Sequence, residues 1–371
     1  FDAQTPAERE KLSGGDWLTH IGERKAGDPA AYAEYDVTVP ETAAYDLWVR
    51  KLWKHGPFRW RFDDRPWRTV GRDIALADSV VLRTHIPANW VYVGEVKLTR
   101  GRHDFRIELL AQPGEARTSG FDAFLLTTGA FLPRGKLKPG ERYDRAEPGY
   151  FAFEPGLDEF TDDALLDLRS MNERVAGMHG RLGREGDAFV LGDGTPVRFW
   201  AANVSAGNAA QRRASIDYLA RKLAKLGVNM VRYHSPIYQA GDDPARIDPR
   251  KLDDLHYLVA AMKRQGIYTK LSFYFPLWFE GRPEWGFRGY DRIKNNRPFG
   301  LLYFEPRMQQ IHRAWLKGLL TTENPYTETP LAEDPAVGIL EIVNEDSLFF
   351  WTFDPKNVPA PYWRKLEGKF A

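Results

Sequence analysis

The second half of the sequence alternates short apolar segments with longer amphipathic ones, and this alternation limits the fold more than any other feature. From about Arg198 onward, four segments predict strands and three intervening segments predict helices; the strand segments read "VRFWAANVS", "VNMVRYHS", "IYTKLSFYF" and "VGILEIVNED". Gly227 and Gly266 stand where two helices should end, and Asp248 with Pro249 should begin one. Such alternation predicts a parallel sheet, either open or closed as a (β/α)8 barrel. Since "AANVSAGNAA" lacks the glycine spacing of a dinucleotide-binding loop, the barrel is favoured.

Polar side chains gather where these strands are expected to end. In a (β/α)8 barrel the carboxyl ends of the strands converge on one mouth, and catalytic sites are built there. The sequence therefore predicts a shared polar site that contains Asn203, Arg232, His234, Tyr274, Asn344 and Glu345.

The order of three phrases, "FWAANVS", "VNMVRYHS" and "LEIVNED", resembles the catalytic barrels of glycoside hydrolase clan A, especially family 5. The resemblance implies a retaining glycoside hydrolase that acts on a polysaccharide or oligosaccharide. It also implies that Glu345 is the general acid/base and that Asn344 binds the sugar hydroxyl next to the reacting carbon. Arg232 would orient the nucleophile carboxylate, and His234 and Asn203 would contact the substrate.

The chemistry of glycoside cleavage explains why a carboxyl group is expected at Glu345. The leaving sugar oxygen needs a proton from an acid whose pKa is raised, and a rim of Trp and Tyr side chains would raise it by desolvation. A retaining enzyme needs a second carboxylate about 5 Å away, which the family carries on its seventh strand. Only four barrel strands are predicted here. We therefore expect the first half of a barrel, completed by the same polypeptide or by a second chain.

Each candidate residue also has a plainer interpretation. Arg232 is as suited to a structural ion pair as to catalysis, His234 to a hydrogen bond within the mouth, and Asn203 to capping a loop. Glu341, deeper in the same strand as Glu345, is better explained as the partner of a basic group than as a nucleophile. His256 and His312 fall on predicted helices, and no cluster has the spacing of a metal site.

A long segment between Pro276 and Phe304 exceeds an ordinary connection from strand to helix and is rich in aromatic residues. Long loops at a barrel mouth often shape the substrate cleft. Trp278 and Trp285 are therefore candidates to stack on a sugar ring, although packing the loop onto the barrel is an equal alternative.

The first part of the chain predicts a different architecture. Seven short segments rich in β-branched and aromatic residues, separated by Pro, Gly and Asp, predict an antiparallel β-sandwich. Their order over about residues 14–132 resembles the jelly-roll carbohydrate-binding modules and related galactose-binding-like domains, which implies a jelly-roll sandwich. Trp60, Trp67 and Trp90 are interpreted as packing residues of this module.

The expected organisation is a β-sandwich over residues 1–139, a linker with hairpin decoration over 140–190, and a partial barrel over 191–371. Within the middle region, "DDALLDLRSMNE" has helical spacing, and "GDAFVLGDGTPVRFW" predicts a hairpin that turns at Gly192–Gly194.

Composition excludes several classes of partner. With 52 basic and 51 acidic residues the formal charge is +1, which argues against nucleic acid and anionic membranes as partners. The chain has no cysteine, and no apolar run is long enough to span a membrane. We expect no cofactor and no metal, and the resemblance places the enzyme in a secreted or periplasmic location.

Two alternatives to a glycoside hydrolase remain. One is a non-catalytic glycan-binding or scaffold protein with a degenerate barrel. The other is an aldolase-like barrel, against which the early position of Lys270 in its strand argues.

Overall fold

The computed structural model describes residues 2–371 except 54–55, 73, 112–117, 153–159, 162–163, 165, 240 and 242. The chain forms two compact units. One comprises Phe1–Asp162 and Ala210–Ser215, and the other comprises Asp163–Ala209 and Ile216–Ala371. The three-part division expected from the sequence stays a prediction. Within the described residues no helix is both long and apolar enough to cross a membrane.

The first unit is built from antiparallel strands. Its elements are α1 (Pro6–Arg9), β1 (Leu18–His20), β2 (Tyr32–Val39), β3 (Ala43–Leu52), β4 (Phe58–Phe62), β5 (Arg68–Val70), β6 (Asp78–Arg83), β7 (Ile86–Leu98), β8 (Gly101–Leu109) and β9 (Ser119–Thr127). They form two sheets, of order β1-β9-β3-β7-β6 and β2-β8-β4-β5. All seven predicted strands of this region are present.

Side-chain alternation explains why the two sheets share one hydrophobic cluster. In β4, Phe58, Trp60 and Phe62 are buried while the residues between them are partly exposed, as expected for strands with one face in a core. Leu47 of β3 in the other sheet belongs to the same cluster. Trp90 is also buried, and its indole Nε1 donates to the Gly135 carbonyl over 2.7 Å. Trp60 and Trp90 are therefore packing residues, as expected.

The rest of the chain combines short hairpins with alternating strands and helices. In chain order its elements are β10 (Gly183–Glu185), β11 (Ala188–Val190), β12 (Pro196–Val197), β13 (Ala201–Val204), α2 (Ala206–Ala209), α3 (Arg213–Lys225), β14 (Met230–His234), α4 (Pro249–Lys263), β15 (Tyr268–Ser272), α5 (Pro306–Thr321), β16 (Glu323–Asn324), β17 (Thr329–Pro330), β18 (Val337–Glu341) and α6 (Ala360–Phe370). All four strands and three helices predicted after Arg198 are present.

Strands β13, β14, β15 and β18 form one parallel sheet, and they lie side by side in chain order. The helical signals of the sequence are confirmed, since Asp248 accepts from the Arg250 and Lys251 amides, and Gly227 and Gly266 have φ values of 77° and 72°. One face of the sheet, with Val231 and Leu271 among its residues, packs into the hydrophobic core. The opposite face carries polar side chains.

The helix predicted from "DDALLDLRSMNE" is wrong for the described part of that segment, which contains only a 3-10 turn over Arg169–Met171. Residues 162, 163 and 165 lie outside the described residues. The carboxylate of Asp167 accepts the Arg169 amide over 3.0 Å, and such a local hydrogen bond competes with a helix. The predicted hairpin is present, because Leu191 donates to the Thr195 carbonyl over 2.8 Å across a turn with Gly194 at φ 88°. Of the predicted linker and hairpin region, 153–159 is likewise not described.

Candidate active site

The register of the parallel sheet aligns the polar residues in two rows. Asn203, Arg232 and Lys270 lie side by side in one row, and in the next row His234, Ser272 and Glu341 do so, the last three in register across β14, β15 and β18. Alternate residues of a strand point to the same face, so both rows emerge on the face opposite the helix-packed core. The cluster is a direct product of strand order and register.

Glu341 is the centre of this cluster. Its carboxylate accepts from Arg232 at both oxygens, with Nε at 3.0 Å and Nη2 at 2.5 Å, and the Lys270 ammonium lies 2.6 Å away. Ser272 Oγ donates to Glu341 Oε1 over 2.8 Å. Burial acts to raise the pKa of the Glu341 carboxyl, but these hydrogen-bond donors outweigh it and lower that pKa to about 2. Glu341 is therefore an ionised partner of two cations, as the sequence indicated.

Arg232 connects this ion pair to the loop after β18. Its Nη2 donates to Asn344 Oδ1 over 2.8 Å, while Nη1 lies 3.5 Å from Asn203 Oδ1. Because a guanidinium only donates, Asn344 must present its oxygen to Arg232 and its amide nitrogen elsewhere. The carboxylate that Arg232 binds in this structure is Glu341 of β18, whereas the resemblance assigned Arg232 to a nucleophile on a later strand.

His234 lies at the edge of the cluster beside aromatic side chains. Its Nδ1 is 2.8 Å from Ser272 Oγ, and its ring centroid is 4.6 Å from that of Trp278 and 6.1 Å from that of Phe275. Burial is the main cause that lowers the pKa of His234, and the Arg232 charge adds to it. A neutral imidazole and a partly exposed indole thus face the same side of the cluster.

Glu345 follows Asn344 in an unusual backbone conformation. Strand β18 ends at Glu341, and the Asn344 amide donates to the Tyr274 carbonyl over 3.1 Å, which holds the turning chain against the end of β15. Glu345 has a left-handed φ of 47°, and its side chain is exposed. The dry aromatic rim expected around this carboxyl group is not formed by the described residues. Its charge acts to raise the pKa of His234, against the burial that lowers it.

Asp346, by contrast, turns inward and is only 7% exposed. Its Oδ1 accepts the Gly300 amide over 2.8 Å, and Tyr303 donates its hydroxyl to the Asp346 carbonyl over 2.5 Å. Burial raises the pKa of the Asp346 carboxyl to about 6, against the two backbone amides that favour its ionised form. This residue ties the long loop to the segment that carries Glu345.

Two residues predicted for the site lie elsewhere. Tyr274 is 1% exposed, and its ring packs on His312 and Trp315 in the helix-side core, because the strand alternation ends with β15 at Ser272. Trp285 is 9% exposed and packs on Phe279, so it fixes the loop rather than lining a cleft. Of the two candidate stacking residues, only Trp278 lies beside the cluster.

Ser272, Lys270 and Asp346 were missed as site residues by sequence reasoning. Ser272 and Lys270 are two residues apart on β15, and the same two-residue spacing that selects Arg232 and His234 on β14 would have found them. Lys270 lies in the middle of β15, not at its start. Among the described residues, no group of three or more His, Asp or Glu side chains is arranged to hold a metal ion.

Comparison with known proteins finds likeness in solved structures alone. No protein-family model matches the chain, and no curated protein matches it significantly. An endo-1,4-β-mannanase from Rhizomucor miehei aligns with 16% identity, covering 49% of this chain and 52% of that chain, at a TM-score of 0.39. This chain thus spans about half the length of that protein. A glycoside hydrolase family 5 mannosidase from the same organism aligns with 14% identity over 51% of this chain and 52% of its own, at a TM-score of 0.34.

A third solved structure aligns with more of this chain but with a lower TM-score. The GH26-CBM35 β-(1,4)-mannanase of Podospora anserina aligns with 13% identity over 87% of this chain and 76% of its own, at a TM-score of 0.21. These structural neighbours are glycoside hydrolases, at low identity and partial coverage.

Proposed function

We propose that this chain is part of a retaining glycoside hydrolase that acts on a polysaccharide or oligosaccharide, with Glu345 as the general acid/base. One observation carries the proposal. The ends of adjacent parallel strands bring Arg232, His234 and Asn344 together, with Glu345 as the next residue in the chain and Trp278 beside them. Polar side chains at the carboxyl ends of parallel strands are the usual basis of a barrel active site.

Asn344 and Arg232 have defined parts in this proposal. The Arg232 contact at 2.8 Å fixes the Asn344 amide, so its nitrogen is free to donate to a sugar hydroxyl next to the reacting carbon. Arg232 is itself held by Glu341 through two hydrogen bonds, and bidentate pairs of this kind fix geometry as well as charge. Arg232 therefore acts by positioning Asn344.

Glu345 needs a drier setting than the described residues give it. A general acid must keep its proton near neutral pH, and desolvation is the common means of achieving this. We propose that further strands, in the same polypeptide or in a second chain, cover the polar face of the four-stranded sheet and complete a (β/α)8 barrel. They would also supply the nucleophile carboxylate, about 5 Å from Glu345 in a retaining enzyme.

The first unit has its own place in the proposal. Two antiparallel sheets that share one hydrophobic cluster suit a β-sandwich accessory module of the carbohydrate-binding type. A secreted or periplasmic location would suit an enzyme that degrades polysaccharides.

The exposure of Glu345 favours one second candidate, a glycan-binding protein that has no catalysis. Within the described part of the chain, the carboxylate hydrogen-bonded into the cluster is that of Glu341, which two cations already engage. Such a protein would bind sugar through Trp278, His234 and Asn344 without cleaving it.

Hydrolysis assays distinguish the two candidates. The 371-residue chain and the longest source polypeptide that contains it, identified by intact mass, would be incubated with β-mannan, β-glucan and xylan, and release of reducing ends measured. We expect activity in the complete polypeptide, with retention of anomeric configuration by NMR, and its loss in Glu345→Gln. Glu367→Gln, at an exposed position of α6, is the matched control. Full activity of Glu345→Gln would reject the acid assignment, while binding without hydrolysis by the complete polypeptide would favour the second candidate.

A further inference from the structure

We infer that Ser272 fixes His234 in the tautomer protonated at Nδ1, which leaves Nε2 as a hydrogen-bond acceptor for a sugar hydroxyl. The assignment of a sugar rests on the proposed function, whereas the tautomer rests on the hydrogen-bond network alone. Ser272 is thereby a positioning residue and His234 a residue that selects substrate.

The Ser272 hydroxyl has a single hydrogen to donate. Three polar atoms lie within reach of Oγ: Glu341 Oε1 at 2.8 Å, His234 Nδ1 at 2.8 Å and Arg232 Nη2 at 3.3 Å. An ionised carboxylate only accepts and a guanidinium only donates. Ser272 therefore gives its hydrogen to Glu341. Arg232 Nη2 has two hydrogens, and its nearer acceptors are Glu341 Oε1 at 2.5 Å and Asn344 Oδ1 at 2.8 Å.

His234 must then donate to the same oxygen. If Nδ1 were unprotonated, Ser272 would have to donate to both His234 and Glu341 with one hydrogen, and one of two close contacts would join two acceptors. Such a contact between lone pairs is repulsive, and in a half-buried site a lost hydrogen bond is costly. Protonation at Nδ1 satisfies both close contacts of Ser272 Oγ at once.

The second ring nitrogen is consequently free of hydrogen in the neutral imidazole. Burial and the charges of Arg232 and Lys270 favour the neutral form of His234, while the carboxylates of Glu341 and Glu345 oppose them, and the pKa is lowered on balance. His234 Nε2 has no hydrogen bond to a described residue, so it remains available as an acceptor. Which nitrogen carries the proton follows from its partner, as is general for histidine.

The surroundings of this acceptor indicate the class of ligand. The His234 ring lies 4.6 Å from the Trp278 ring, so the acceptor stands beside a partly exposed aromatic surface. A ligand that suits both has an apolar face to pack on the indole and a neutral hydroxyl to donate to Nε2. A sugar ring has these two features. A carboxylate, which has no hydrogen to donate near neutral pH, would find an acceptor facing it.

Nitrogen NMR of the ligand-free chain tests the tautomer directly. Protein labelled with ¹⁵N-histidine contains eight histidines, and His234→Gln identifies the signals of His234 by their loss. In the parent chain we expect the ¹⁵N chemical shift of His234 Nδ1 to be that of a ring nitrogen that carries a proton, and the shift of Nε2 to be that of a ring nitrogen without one. In Ser272→Ala this pattern should collapse to a mixture or reverse. Ser272→Thr, which keeps the hydroxyl, should restore it.

Two outcomes would overturn the inference. One is a proton on Nε2 in the parent chain, and the other is an unchanged tautomer in Ser272→Ala. The remaining histidine signals report whether each variant is folded, so a misfolded variant is recognised and Ser272→Thr then decides. Failure of the glycosidase assay would leave the tautomer result standing. For the ligand, mannohexaose added to the polypeptide that hydrolyses β-mannan, with Glu345→Gln to prevent turnover, should move the Nε2 signal. A bound hexasaccharide that leaves it unmoved would refute the acceptor role.

Discussion

Replacing Asp346 by Asn should stabilise the protein at neutral and alkaline pH and have little effect in acid. The carboxyl group is 7% exposed, and its Oδ2 has no hydrogen-bond partner among the described residues. Burial therefore disfavours its charge, and the pKa in the folded state is about 6, compared with a pKa of about 3.9 in an unfolded chain. The substitution Asp346→Asn removes the charge but keeps a side-chain oxygen that can accept the hydrogen bond from the Gly300 amide.

The sign and size of the change in the free energy of unfolding follow from proton linkage. Between about pH 4 and pH 6 the folded protein holds a proton that the unfolded chain has lost, so stability falls as pH rises through this window. A difference of about two pKa units corresponds to about 3 kcal/mol, fully expressed above pH 7. Asp346→Asn cannot ionise and so does not lose this stability. At pH 8 its free energy of unfolding should exceed that of the parent chain by up to about 3 kcal/mol. The two proteins should converge near pH 4.

Urea unfolding between pH 4 and pH 8, followed by circular dichroism, measures the effect. Since the chain forms two compact units, hydrogen exchange at the Gly300 amide would identify the transition that shifts. Asp334→Asn is a matched control of opposite sign, because that buried carboxylate lies 2.8 Å from the Lys263 ammonium and its loss should destabilise the protein. A pH-independent difference for Asp346→Asn, or lower stability than the parent chain at pH 8, would refute the reasoning.

Three further variants test the cluster and the backbone around it. Glu341→Gln deprives Arg232 and Lys270 of their carboxylate and should lower the free energy of unfolding, measured with urea at pH 7, by about 2 kcal/mol, a value between those of exposed and buried ion pairs. Because the pKa of Glu341 is lowered in the folded protein, this difference should disappear as the pH falls from 4 toward 2. An equal difference at every pH would contradict this account. Glu345→Gly relieves the backbone strain of a side chain at a left-handed φ of 47° and should raise the free energy of unfolding by about 1 kcal/mol, while removing any hydrolytic activity. A destabilised variant would show that contacts of the exposed Glu345 side chain stabilise the fold. Gly266→Ala places a Cβ against a backbone carbonyl at φ 72° and should cost about 3 kcal/mol in thermal or urea unfolding, with a cost below about 1 kcal/mol counting against the close approach.

Much of the fold was predictable because the local signals are strong. Asp248 caps α4, and Gly227 and Gly266 adopt the left-handed conformation that ends a helix before the next strand. The helix predicted from "DDALLDLRSMNE" is wrong in the described part of that segment because the Asp167 carboxylate accepts the Arg169 amide and satisfies the backbone locally. The spacing of apolar residues does not register such competition.

The site was predictable where it depends on strand position and not where it depends on the course of loops. Arg232 and His234 lie on β14, so their face follows from alternation along the strand. Tyr274 and Glu345 lie beyond the ends of their strands, where alternation no longer applies, and they point into the core and into solvent respectively. The burial of Asp346 depends on the long loop that reaches it at Gly300, a tertiary contact that no local pattern encodes.

The order of strands in the two units also bears on how the chain is made. Strand β14 pairs with β13 and β15 pairs with β14, so this sheet can grow strand by strand as the polypeptide leaves the ribosome. In the first unit β1 pairs with β9, and β2 with β8, so residues synthesised first must wait for partners made much later. Nascent chains stalled before Ser119 would therefore lack β9 and leave the edge of β3 unpaired, a point at which chaperones would have most to protect.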